Sequence, residues 1–142
     1  MRILGIDYGL RHVGLAISDE SGLIAQGLDS IHYKGSLDFL IRKIEEVVKS
    51  REVTEVVVGH PLNMDGTRGE KAGEAEHFAE ELKKNTRLPV HLWDERLTTA
   101  SVEREFSRWK VGSRKQKKLV DRLSAQLILQ SYLDFQRSPS KS

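Results

Sequence analysis

The order of apolar patterns along this 142-residue chain predicts an α/β fold, a mixed five-stranded sheet with helices on both faces. Three observations carry that expectation. Three strand-like runs open the chain, and their connections are too short for parallel crossovers, so they form an antiparallel meander. Two further strand-like runs follow, each preceded by a stretch of helical spacing, the β-α-β order of parallel strands. The last third is helical in pattern and ends in a polar tail. The length suits one core that buries about two-thirds of the surface an unfolded chain exposes. No internal repeat or linker divides the chain.

The meander strands are Arg2 to Asp7, His12 to Ser18 and Leu23 to Ile31, turned by "YGLRH" and by the acidic "DESG". Leu37, Leu40, Ile41, Ile44, Val47 and Val48 then recur every three or four positions, and Ser36 is placed to cap that helix. "TEVVVGH" is a short β-branched run suited to burial on both faces. Pro61 stops it, and "PLNMDGTRGE" is a polar, glycine-rich loop whose segment Asn63 to Gly69 is placed to gate access to a site. Thr67 and Glu70 have capping-box spacing for a helix that turns Ala72, Ala75, Phe78, Ala79 and Leu82 inward. "PVHLWDE" is the last strand. Thr98 or Thr99 caps a helix to about Phe106, and "WKVGS" breaks it. Ser113 and Gln116 repeat the capping-box spacing before a long helix with Leu119, Val120, Leu123 and Leu127 on one arc. "QRSPSKS" reads as a disordered tail, leaving one domain over 1–135 and a tail over 136–142.

Composition excludes several classes. With no Cys there is no disulfide, thiolate nucleophile or thiolate metal site. The five histidines show no paired zinc-ligand spacing. The chain enters a strand-like run at once, without signal-peptide order, and no apolar run approaches the ~18 residues of a membrane span. The expectation is a cytoplasmic protein with no membrane partner. Net charge is only +2, but between Arg104 and Arg122 eight Lys or Arg face two acidic residues, an excess of six that leaves the remainder at −4. That asymmetry points to a polyanionic partner, with a merely solvated helix face as the plainer alternative.

Open α/β sheets bind ligands beyond the carboxyl ends of their parallel strands. Asp7 ends the first strand and Glu95 the last, and if the first strand pairs in parallel with "TEVVVGH" they share that rim. Period-two alternation puts Ile3, Gly5 and Asp7 on one face and His91, Trp93 and Glu95 on one face. Asp121 aligns with Ala125 and Ile128, so a helix folded over the sheet can bring it to the same rim. Three gathered carboxylates repel one another unless a hard cation lies among them, and Mg²⁺ accepts such a set together with phosphate oxygens. Plainer roles stay open: Asp7 capping its turn, Glu95 pairing with Arg96, Asp121 pairing with Lys117. Asp94 faces away from Glu95 and is a poor ligand. His60, at a strand end beside the loop, is a phosphate contact, a base or a structural residue. "DYGLRHVG" lacks the ending of a Walker A loop.

"GIDYGLRHVGLAISD", "VVVGHPLNMDGTRGE", "VHLWDERLTT" and "KKLVDRLSAQLILQSYL", in that order, resemble the YqgF (RuvX) family of RNase H-like nucleases over about residues 2 to 135. The resemblance implies an RNase H-like fold and a phosphodiesterase dependent on one or two Mg²⁺ or Mn²⁺ ions. It further implies action on the 5′ end of the pre-16S rRNA in ribosome biogenesis. Holliday junction resolution is an older assignment within the family, drawn from similarity to RuvC. By motif position it makes Asp7, Glu95 and Asp121 the catalytic, metal-holding residues. His60 stands where an apolar residue is expected before the proline, and Ser124 where the helix usually carries alanine; neither is a proposed ligand. Candidate nucleic-acid contacts are Arg11 and Arg96 near the acidic residues and Arg114, Lys115, Lys117 and Lys118 at the basic helix start. A non-catalytic RNA-binding assembly factor is the reading from a different class, and metal-dependent cleavage separates the two. An actin-like ATPase fragment is disfavoured by length, since those enzymes close two such domains around nucleotide.

Overall fold

The computed structural model describes the backbone of residues 2–98 and 114–137, and side chains for 2–98 and 122–137. Within them, β1 (Arg2–Asp7), β2 (His12–Ser18), β3 (Ala25–His32), β4 (Val53–His60) and β5 (Val90–Asp94) form one sheet in the order β3-β2-β1-β4-β5. β2 pairs antiparallel with β1 and β3, whereas β4 pairs in parallel with β1 and β5. Short turns permit the first pairings, and the helices α1 (Leu37–Ser50) and α2 (Glu70–Thr86) supply the crossovers that the second require. The helix α3 (Arg114–Arg137) returns across the other face.

Two apolar clusters separate the layers. Leu4, Ile6, Val13, Leu15, Val56 and Val58 point toward Leu40 and Ile44 of α1 and Phe78 and Leu82 of α2. Ala16, Ala25 and Val57 point toward Ala125, Ile128, Leu129, Tyr132 and Leu133 of α3. The α3 side of the sheet is lined with small residues, so the helix lies close. A methyl group on Gly5 would stand 2.7 Å from Leu129 Cβ, a contact closed by backbone-fixed atoms.

Several local expectations are corrected. β3 begins at Ala25, because Leu23 and Ile24 belong to the preceding turn: both amides donate to Asp19 Oδ1, at 2.8 and 3.0 Å. Ser36 does cap α1, accepting from the Phe39 amide at 3.3 Å, but Thr67 does not cap α2. Gly69 occupies that position without a side-chain cap, and Thr67 instead donates to Asp65 inside the loop. The buried stripe of α3 runs through Ala125, Ile128, Leu129, Tyr132 and Leu133. Leu127 is only partly buried at its edge and Leu123 is intermediate, so the predicted arc is rotated. The small residues of the sheet face select that stripe, since they admit the helix closest along the line of Ala125. Gln136 and Arg137 belong to α3 and not to the tail. The helix expected between Thr98 or Thr99 and Phe106, the Ser113 cap, the side chains of Leu119 and Val120, and tail residues 138–142 lie outside the described residues.

Candidate active site

Asp7 is the last residue of the central strand, opposite Gly14 of β2, and is 9% exposed. Glu95 is 4% exposed. It is not the last residue of β5 but the first of a 3₁₀ turn, Glu95–Leu97, which changes the direction of the chain just after the sheet ends. Gly59 lies between the two. β1 and β4 run in register, Ile6 beside Val58, which places Asp7 beside Gly59; Gly59 in turn pairs with Trp93, two residues before Glu95 on the same face. A Cβ on Gly59 would come within 2.8 Å of Glu95 Oε2 and 2.7 Å of Ile128 Cδ1. The absence of a side chain there lets the Glu95 carboxylate settle onto the strand under α3. Two carboxylates withdrawn from water on one rim are costly unless donors or a cation offset their charge.

α3 runs antiparallel to β4: Ile128 lies over Gly59, whereas Tyr132, one turn later, donates to Glu55 near the strand's start. Residue 121, a turn before Ala125, is therefore on the part of the helix toward the rim of Asp7 and Glu95. The Asp121 side chain lies outside the described residues, as do those of Arg114, Lys115, Lys117 and Lys118, whose backbone forms the first turns of α3. Among the described residues, histidines and carboxylates form no group of three placed to hold a metal ion; the third expected ligand is the one not described.

The remaining predicted residues take different places. Arg11 is exposed just beyond Asp7, where its carbonyl accepts from the Tyr33 amide at 3.1 Å, and its guanidinium makes no ion pair with any described residue. Arg96 is held instead. Its Nε and Nη2 form a fork on Asp94, with Nη2 to Oδ2 at 2.8 Å, and its Nη1 donates to the Met64 carbonyl at 3.3 Å. That bond, with those from the Asn63 amide to the Thr67 carbonyl and from the Gly66 amide to the Asn63 carbonyl, knits the loop over 61–69. Asp94 faces away from Glu95, as alternation requires, and Arg96 holds its carboxyl below the usual range. His60 faces α2, where its Nε2 lies 2.6 Å from Glu76 Oε2; Arg68 grips the same carboxylate. Arg68 first and His60 second lower the Glu76 pKa to about 2, so His60 has a structural partner. Ser124 is fully buried and its Oγ meets no hydrogen-bond partner among the described residues.

Two features escaped sequence reasoning. Gly59 carried a signal, because a glycine inside a β-branched run marks a close approach. The links around the 3₁₀ turn carried none: Trp93 Nε1 donates to Ser131 Oγ at 3.1 Å, and Ser131 Oγ donates to the Leu97 carbonyl at 3.2 Å, joining β5, the turn and α3.

Over residues 1–135 the chain matches the family described as RuvX, Holliday junction resolvase. A protein of Ruminiclostridium cellulolyticum named "Putative pre-16S rRNA nuclease" is 43% identical over 134 residues, 94% of each chain. Another of that name, from Caldanaerobacter subterraneus, is 46% identical over 139 residues, 97% of this chain and 99% of the other. Among solved structures, RuvC of T. thermophilus in complex with a Holliday junction substrate superposes with a TM-score of 0.59 at 20% identity, covering 96% of both chains. The fowlpox virus Holliday junction resolvase gives 0.53 at 14%, covering 94% of this chain and 99% of the other. These structures share the fold: a mixed sheet with helices on both faces and the carboxyl ends of its parallel strands gathered at one rim. With the family matched along nearly its whole length, the chain belongs to the RuvX family.

Proposed function

We propose that this protein is a nuclease that hydrolyses phosphodiester bonds of structured RNA with the help of a divalent cation, and that its reaction is 5′-end maturation of pre-16S rRNA. The observation that supports the reading is a pair of buried carboxylates at the carboxyl end of the parallel strands, Asp7 at the end of β1 and Glu95 just after β5 against the side-chain-free surface of Gly59. The name borne by the relatives supports the substrate, and the family description supports a nuclease.

The donor set fits Mg²⁺ or Mn²⁺: all-oxygen, anionic, rigidly mounted on a strand end and a 3₁₀ turn, and without the thiolates or paired imidazoles that favour softer metals. Asp7 and Glu95 would hold the ion, with Asp121 joining them from α3. When bound, one ion or a pair would lower the pKa of a water and stabilise the leaving oxygen of an in-line cleavage. The chain's own contribution is placement. β1 fixes Asp7 through its pairing on both sides, and Gly59 sets the depth of Glu95. The exposed Arg11 and the basic start of α3, Arg114, Lys115, Lys117 and Lys118, would hold the phosphate backbone on either side of the scissile bond.

The test is a cleavage panel of pre-16S rRNA fragment, unstructured RNA and four-way junction DNA, with Mg²⁺ or Mn²⁺ and with chelator. The expected result is cation-dependent cutting of the rRNA fragment that Asp7→Asn abolishes. Preferential cutting of the junction moves the substrate to branched DNA. Tight binding of the rRNA without any cutting makes the protein an assembly factor. Undiminished cutting by Asp7→Asn removes the proposed site.

A further inference from the structure

We infer that Arg96 is a positioning residue that locks Glu95 in place, and not one of the phosphate contacts. The assignment rests on Glu95 serving the cation site proposed above. Glu95 sits between Asp94 and Arg96 on a three-residue turn, and so short an element has almost no hydrogen bonding of its own to define it. Its definition comes from outside. Asp94 Oδ1 accepts from the Arg96 amide at 2.9 Å, which starts the turn. The Arg96 side chain then folds back on the same carboxylate as a planar fork. Its third nitrogen reaches the Met64 carbonyl, 32 residues away in sequence, across a loop that crosses beneath the guanidinium with Gly66 at φ +88°. A Cβ on Gly66 would lie 3.2 Å from Nη1, so the loop backbone and the guanidinium are already in close contact. From the other side, Ser131 of α3 secures the Leu97 carbonyl. The turn that aims Glu95 at Gly59 is thus clamped between the loop over 61–69 and α3, and Arg96 is the clamp on the loop side.

The same geometry argues against a role in holding phosphate. A guanidinium attracts phosphate through its charge and its planar pair of donors. Here the planar pair is spent on Asp94, whose charge offsets that of Arg96. Arg11, exposed and without an ion pair among the described residues, keeps both charge and donors available. The two arginines therefore differ in kind, although both lie near the acidic residues in sequence.

Replacing either group of the clamp separates binding from turnover. Arg96→Gln, Arg96→Lys, Asp94→Asn and Arg11→Gln are compared in the full-length protein by three measurements. These are affinity for the pre-16S rRNA fragment across a salt series without divalent cation, single-turnover cleavage at saturating RNA, and Mn²⁺ affinity by calorimetry. Arg96→Gln is expected to bind RNA within about twofold of wild type with an unchanged salt slope, while the cleavage rate falls roughly 10- to 100-fold and Mn²⁺ binding weakens. Arg96→Lys, which keeps the charge but not the fork, is expected to restore little. Asp94→Asn has the opposite sign for the two readouts: it frees the Arg96 charge, so RNA binding tightens while cleavage slows. Arg11→Gln is expected to lower the salt slope by ~0.7–0.9, one phosphate contact.

The assignment is overturned if Arg96→Gln lowers the slope by that amount with the saturated rate intact, or if Asp94→Asn cuts as fast as wild type. Should wild type bind RNA but cut nothing, the nuclease reading falls. The Arg96 assignment is then decided by the other two measurements: weaker Mn²⁺ binding at an unchanged salt slope supports it, and any other pattern refutes it.

Discussion

Gly59→Ala is the most direct probe of how the fold sets the site. The added methyl would stand 2.8 Å from Glu95 Oε2, 3.2 Å from Glu95 Cδ and 2.7 Å from Ile128 Cδ1. Contacts of this kind relax to roughly 3.4 Å or more, so the carboxylate must retreat by about half an ångström, or the β4 backbone must give. Ile128 Cδ1 is the free end of its side chain and can yield, at a cost of about 1–3 kcal/mol for an overpacked core. At this chain length that lowers Tm by about 3 °C per kcal/mol, or ~3–10 °C in all. The effect on turnover is larger, because a constellation of catalytic groups tolerates only ~0.5 Å of displacement. Cleavage is expected to fall at least ~10-fold, while RNA affinity, which depends on basic residues other than the Glu95 and Ile128 that the methyl would meet, stays unchanged. Thermal unfolding, single-turnover cleavage and RNA titration on one preparation give the three readings. A variant that cuts at the wild-type rate would refute the claim that Gly59 sets the position of Glu95. So would one whose loss of activity is accounted for by loss of folded protein.

Three further outcomes are expected. Glu76→Gln should lower stability near neutral pH, since the folded-state pKa of Glu76 is depressed to about 2. The stabilisation is present above the ordinary carboxylate range and is lost as pH falls toward 2, so Tm curves of wild type and variant should converge in acid, and a constant gap would contradict the linkage. Ser124→Ala should stabilise the protein by about 1 kcal/mol, because it removes a buried hydroxyl without a partner among the described residues; a fall in Tm would reveal a partner. Replacing Arg114, Lys115, Lys117 and Lys118 together by alanine should weaken RNA binding and lower its salt slope by ~0.7–0.9 for each phosphate no longer neutralised, with an unchanged slope placing the polyanion elsewhere.

Much of the fold was legible because its causes are local. Strand alternation, helical spacing and the length of each connection lie within a few residues, and they suffice to separate the hairpins from the crossovers. Where two local signals competed, the sequence misled. Thr67 has the spacing of a helix cap, but Asp65, two residues away, captures its hydroxyl first. Leu23 and Ile24 look like strand residues, but the Asp19 carboxylate draws their amides into the turn. The arc of leucines on the last helix differs from its packed stripe because that stripe depends on small residues of β1, β2 and β4, which no helical periodicity records.

For the site, the sequence by itself determined which residue types are present and in what order. Asp7 follows an apolar strand, Glu95 follows another, and Asp121 lies on the helix arc shared with Ala125. Alternation along each strand further put Asp7 with Ile3 and Gly5 and Glu95 with His91 and Trp93, and turned Asp94 the other way. Only the tertiary structure decided that Gly59 would lie between them. Only there did Glu95 leave the strand for a 3₁₀ turn, and Arg96 spend its charge on Asp94 and the Met64 carbonyl instead of offering it to a ligand. The physical reason is range: alternation and charge act between neighbours in the chain, whereas steric contact and hydrogen bonding act between neighbours in space.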